Sequence, residues 1–203
     1  MTTPLRRRGI ISALASTAAV IAISAFGASP AHAATAKTLT TYTFQAQQTG
    51  YWCGPAATRL ALTVRGYAPT QATLASRLPT DTAGTDSITQ VMAVLNSYAN
   101  VNNWYEHKVV NNNSAAEQNL LKSDIVFDID RNYALVLNVR GGRTDTAGVY
   151  HNYPNGHYLT VVGYSSSGAY AVIEDVALGS GHRYTMTVAN LSWWIWSTSG
   201  YTA

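Results

Sequence analysis

The sequence has 203 residues, with 13 Lys and Arg against 10 Asp and Glu, a formal charge of +3. Arg6, Arg7 and Arg8 precede position 34 and no acidic residue does, so residues 34–203 carry 10 charges of each sign. That balance, without a basic stripe, argues against nucleic acid or an anionic membrane as partner. A 47% hydrophobic content with few charges argues against disorder and for one domain with a sizeable core.

In chain order, residues 1–33 read as a secretory signal peptide. Arg6, Arg7 and Arg8 form a basic start, a small apolar run covers residues 9–28, and Ala31-His32-Ala33 is an A-x-A cleavage site. Ser12, Ser16, Thr17, Ser24 and Gly27 interrupt the run, which argues against a spanning helix. Arg7 and Arg8 also permit twin-arginine export, and the choice of route stays open. The expectation is a protein cut near Ala33 and secreted, with residues 34–203 as one extracellular domain, monomeric and without stable membrane association.

Residues 39–45 alternate loosely, as a short strand would, and 47–52 read as a loop. Residues 53–65 read as a helix with Ala57, Leu60, Ala61 and Val64 on one face, Pro55 in the first turn and Gly66 as the stop. Residues 70–78 form a short helix ending before Pro79. Ser87 and Gln90 match a capping box ahead of a helix with Ile88, Val91, Met92 and Leu95 on its apolar face. Residues 114–130 read as a further helix, opened by Ser114 and Glu117, with Leu120, Leu121 and Ile125 apolar.

The continuous apolar run 133–139 predicts a central strand. Residues 140–156, with Gly141, Gly142 and Gly148, read as a long loop, either a mobile lid or a connector. Residues 157–164 and 169–175 predict a hairpin turning at 165–168, and 188–196 a short helix. In that helix Trp193, Trp194 and Trp196 fit closure of the core better than sugar or lipid binding. Helices first and an antiparallel meander after them argue for α+β.

The chain has a single cysteine, Cys53, although exported proteins normally pair theirs. Three roles follow for it: a buried inert thiol, a site of intermolecular pairing, or a nucleophile. Its place at a helix N-terminus favours the thiolate, because unpaired N–H groups and the helix dipole both stabilise negative charge there. Gly54 would leave room for a substrate carbonyl. Of the histidines beyond the signal, His107, His151 and His182 lie in turns or loops, and His157 alone opens an apolar strand. Strand histidines are more often structural, but here the partner strand ends at Asp175, where a carboxylate could orient the ring. Alternation puts Glu174 and Asp175 on opposite faces, so one of them alone can do so. An amide from Gln47 or Gln48, six or five residues before Cys53, could join the Cys53 backbone N–H as an oxyanion donor.

Gln47-x5-Cys53-Gly54-Pro55-Ala56, then Gly156-His157-Tyr158 running into Val162-Gly163-Tyr164, then a hairpin reaching Asp175, resembles the C39-like cysteine peptidases, relatives of papain. The likeness extends to the Trp-rich ending and Gly200-Tyr201. It implies a papain-like fold, N-terminal helices packed on a C-terminal antiparallel β-sheet. It also implies Cys53 as nucleophile, His157 as base and acid, Asp175 as orienting residue and Gln47 in the oxyanion hole. Val176 departs from the family pattern, which usually has Pro after the Asp. The family's transporter-fused members cut after Gly-Gly, a specificity not carried over to a chain with no transporter.

Trp52, Gly54 and Gly156 are the candidate substrate-binding residues. His151 and His157 lie six apart, but without HExxH or a cysteine cluster no metal is expected, and no other cofactor. The expected activity is hydrolysis of a peptide or protein substrate. Transfer to an amine through the same residues, and a non-catalytic binding module on the same fold, stay open as alternatives.

Overall fold

The computed structural model describes Met1, residues 35–196 and residues 198–203. The expected signal peptide, Met1 apart, lies outside them. Five helices are described: α1 (Cys53–Val64), α2 (Gln71–Arg77), α3 (Ile88–Asn96), α4 (Ala115–Asp130) and α5 (Val188–Ile195). Seven strands form one antiparallel sheet: β1 (Lys37–Thr38), β2 (His107–Lys108), β3 (Leu135–Thr144), β4 (Tyr150–Ser165), β5 (Tyr170–Glu174), β6 (Arg183–Thr187) and β7 (Tyr201–Thr202). The spatial order is β2-β7-β3-β4-β5-β6, with β1 against the far end of β4. Among the described residues no helix is long and apolar enough to cross a membrane.

Helix α1 is the centre of the molecule. Ala56, Ala57, Leu60, Ala61, Leu62 and Val64 are all buried, the pattern of a helix covered on every side. Its small residues let it lie close on β4, where the Thr160 hydroxyl donates to the Ala57 carbonyl at 3.3 Å. The capping box at Ser87 and Gln90 opens α3, and its buried face is Ile88, Val91, Val94 and Leu95, with Met92 only half-buried. Ser114 caps α4, but the Glu117 carboxylate turns back to the N–H groups of Asn111 and Asn112, both at 2.9 Å, and Leu120 is exposed. Trp194 is the tryptophan that closes the core, while Trp193 and Trp196 stay partly exposed.

Two expectations are corrected. No strand forms over residues 39–45. Lys37 and Thr38 pair with Tyr164 and Gly163, and the Leu39 N–H reaches Val162 O at 2.8 Å. From Val161 back to Tyr150 β3 holds that edge of β4, starting at the pair Leu135↔Val161, so the incoming chain has no backbone left to pair with. The second correction concerns residues 140–156. Strand β3 runs on to Thr144 and β4 starts at Tyr150, so the expected loop is a twisted hairpin turning at residues 145–149. Strands β2, β6 and β7 complete the sheet beyond the expected meander.

Candidate active site

Cys53 is the first residue of α1 and is partly exposed. Strand β4 carries His157, which pairs with Val139 just before a bulge in β3. Strand β5 ends at Glu174, and the next residue, Asp175, swings under His157. Its Oδ1 lies 2.8 Å from His157 Nε2, which leaves Nδ1 for the thiol. Asp175 is fully buried. It is held from all sides: the Tyr153 hydroxyl donates to Oδ2 at 2.7 Å, the Tyr184 hydroxyl to Oδ2 at 3.0 Å, and the Ala177 N–H to Oδ1 at 3.1 Å. The Tyr153 ring also stacks on the His157 ring, with centroids 3.9 Å apart.

The electrostatics follow from these contacts. Burial pushes the Cys53 thiol up. Hydrogen bonding and charge from His157, with the N–H groups of Tyr158 and Gly54, outweigh it and bring the thiol below its ordinary value. Burial pulls His157 down, but its hydrogen bonds to Asp175 and Cys53 and their charges prevail and raise it to about 9. Burial pushes Asp175 up, and His157, Tyr153 and the Ala177 N–H more than reverse this. All three shifts run in the direction of a thiolate beside an imidazolium on a carboxylate.

Gln47 and Gln48 part company. Gln48 exposes its side chain, whereas Gln47 is half-buried. The Gln47 amide Nε2 donates to Thr49 O at 2.8 Å, its Oε1 is buried without a partner, and its backbone N–H donates to Val176 O at 2.8 Å. Val176, at the position after the acid, is fully buried and tethers Gln47 beside Asp175.

The expected substrate contacts fare unequally. Gly156 lines a polar cleft of about 210 Å³ that also takes in Cys53, His157, Tyr158, Asp86 and Arg140. Trp52 packs edge-on against Tyr51, ring centroids 6.5 Å apart, and does not line that cleft. Gly54 is buried, and the space beside it is filled by Thr85: a Cβ there would come 2.8 Å from Thr85 Cβ. Its lack of a side chain serves that packing, and it meets the site through its N–H. A larger cavity, about 760 Å³, lies behind Tyr153 and Tyr184 and does not reach Cys53.

The other histidines are engaged elsewhere. His151 pairs with Asp145 at 3.0 Å and stacks on Tyr184; His182 pairs with Glu174; His107 Nε2 lies 2.6 Å from Ser199 O. His151 and His157 therefore face different carboxylates, and no metal-holding group of three acidic, His or Cys side chains occurs among the described residues. Tyr153, Tyr184 and Thr85 escaped the sequence. For Tyr184 a signal existed, since residues 183–187 alternate as a strand should; Tyr153 was hidden in the stretch taken for a loop.

Residues 39–203 match the Peptidase_C39 like family. No curated protein matches. Among solved structures, a C39-like peptidase from Bacillus anthracis is 12% identical with a TM-score of 0.55, covering 82% of this chain and 96% of its own. The peptidase domain of Streptococcus ComA, a bifunctional ABC transporter of a quorum-sensing pathway, is 17% identical with a TM-score of 0.50, covering 79% and 95%. At these identities the likeness is one of fold: a papain-like α+β arrangement of the C39 kind.

Proposed function

Because the chain belongs to the Peptidase_C39 like family, we propose that it is a secreted cysteine peptidase that hydrolyses peptide bonds through Cys53, His157 and Asp175. The supporting observation is Cys53 at the head of α1, lining one cleft with a His157 ring that Asp175 holds at 2.8 Å. The Cys53 sulfur attacks the scissile carbonyl carbon, and the carbonyl electron pair moves onto oxygen. The Gln47 amide and the Cys53 N–H receive that oxyanion, a type of contact worth roughly 3–4 kcal/mol per donor. His157 gives its Nδ1 proton to the leaving amine as the C–N bond breaks, leaving a thioester. Water then loses a proton to His157 and attacks the thioester. The C–S bond breaks, and thiolate and imidazolium are restored. A cleft of about 210 Å³ suits one side chain at a time, so the substrate is an extended peptide or protein segment laid past Cys53. The enzyme acts outside the cell as a monomer, after removal of residues 1–33.

The test is iodoacetamide alkylation of the folded protein across pH, followed by cleavage of a mixed peptide library. Fast alkylation at mildly acidic pH, a sharp slowing in His157→Ala and library cleavage abolished in Cys53→Ala are expected. A thiol that resists alkylation until the protein unfolds overturns the reading. Products carrying an added amine in place of water would move the reaction to transfer. Mass analysis of protein from a culture supernatant checks the cleavage near Ala33.

A further inference from the structure

Gln71, the first residue of α2, is polar yet completely buried. Its side chain hydrogen-bonds to neither Cys53 nor His157. Its side chain reaches across to the loop before α1 and grips it at two points. Nε2 donates to the carbonyl of Ala46 at 2.9 Å, and Oε1 accepts the N–H of Gln48 at 3.0 Å. Those residues are the immediate neighbours of Gln47 on either side. The Ala46–Gln47 peptide group is pinned from a second direction, because the Gln47 N–H donates to Val176 O. Val176 follows Asp175, so the acid and the glutamine share one anchor. Among the described residues these are the hydrogen bonds that the Gln71 amide makes. An apolar side chain of similar volume could fill the space, but would leave Ala46 O and the Gln48 N–H to find other partners or shift.

We propose that Gln71 is a positioning residue that fixes the Gln47 amide against the thiol, so that an oxyanion donor is in place before the reaction starts. This rests on the reading of Gln47 as that donor. Donors of this kind act by being held still, and a displacement of about 1 Å is enough to cost about 100-fold in rate. The thiolate itself depends on His157 and not on this loop. The two functions of the site are therefore separable: loosening the loop slows the step that builds an oxyanion and spares the reactivity of sulfur.

The experiment compares the full-length protein with Gln71→Leu, Gln71→Glu, Gln47→Ala and the Gln47→Ala/Gln71→Leu double variant. Two probes are used: iodoacetamide, which reads the thiolate alone, and p-nitrophenyl acetate, whose acyl transfer passes through an oxyanion. In Gln71→Leu, alkylation should stay within about twofold of the parent protein, while p-nitrophenolate release falls by about 10- to 100-fold. In the Gln47→Ala background the Gln71→Leu change should add less than about twofold, because the donor it positions is gone. Gln71→Glu keeps the acceptor for the Gln48 N–H and loses the donor to Ala46 O. Its deficit, taken as a ratio to the parent at each pH, should shrink as the carboxyl is protonated and donates again. If alkylation and release fall together, Gln71 only holds up the fold. A full Gln71→Leu effect on top of Gln47→Ala overturns the proposal, as does no effect at all. Should Gln71→Leu fail to fold, the Gln71→Glu pH ratio decides: a ratio flat with pH overturns the proposal. A parent protein inert to both probes overturns the peptidase reading first, a result distinct from any pattern among the variants.

Discussion

Glu174 and Asp175 are adjacent, both fully buried, and each is bonded to a histidine, yet they do opposite things. Glu174 faces the sheet side that carries Tyr42, Phe44 and Arg183. The Arg183 Nε donates to its Oε1 at 2.6 Å, the Tyr42 hydroxyl bonds the same oxygen, and His182 bonds Oε2 while stacking on Phe44. A permanent cation thus neutralises Glu174, and the cluster clasps the segment leading to Gln47. Asp175 has no arginine among its described partners. Two phenols and one N–H solvate it, and among the described residues the cation it pairs with is the His157 imidazolium. A buried carboxylate bonded to a histidine favours the protonated ring, which is the direction in which Asp175 moves His157. Charge state at this hairpin is set by what faces each side of the strand, one residue apart.

The hardest break of this contrast is Asp175→Ala, which should cut peptide turnover by roughly 10³- to 10⁴-fold, measured as kcat/KM on any cleaved library peptide. The matching change Glu174→Gln should leave turnover within about threefold. It should lower thermal stability instead, by about 1–3 kcal/mol for the charged hydrogen bonds lost, as read from Tm.

Turnover of the parent protein should follow a bell with pH. It rises as the thiol ionises below its ordinary range and falls as His157 deprotonates near 9. In Asp175→Asn the alkaline limb should move to lower pH, because the hydrogen bond and charge that raise His157 are weakened. Glu174→Gln should leave that limb in place.

Tyr153→Phe is a finer cut. It keeps the ring on His157 and removes the hydroxyl from Asp175, so turnover should fall only several-fold, at about 1–2 kcal/mol for a hydrogen bond to a charged group.

The smallest effect concerns a third buried carboxylate that has neither solution. Asp128 accepts the Trp104 Nε1–H at 2.7 Å and leaves Oδ2 without a partner; burial pushes it up to about 7. A carboxyl raised in the folded state loses stability as pH climbs from its unfolded value, about 3.9, through 7. Asp128→Asn should therefore raise Tm at pH 8 and change it little near pH 4, with turnover unaltered.

Parts of the site were legible because they are local. Cys53 stood out as one thiol at the foot of an apolar helix. His157 and Asp175 are joined by a short hairpin, so strand pairing alone brings the middle of β4 beside the end of β5. The errors have equally physical causes. Gly141, Gly142 and Gly148 punctuate residues 140–156 as a loop would, but pairing along β3 and β4 overrides that local preference. Residues 39–45 alternate as a strand would, but β3 already occupies the edge they need.

By itself the sequence determined the five helices, the central hairpin, the α+β class and the few residues whose chemistry is unusual for their position, since periodicity, caps and a solitary thiol are properties of short stretches. Only the tertiary structure decided what surrounds them: Tyr153 and Tyr184 on Asp175, Thr85 against Gly54, Gln71 on either side of Gln47. These partners are far apart along the chain. Packing of α1 and α2 on the sheet, which no single stretch encodes, brings them within hydrogen-bonding reach and makes the charge on His157 a property of the fold.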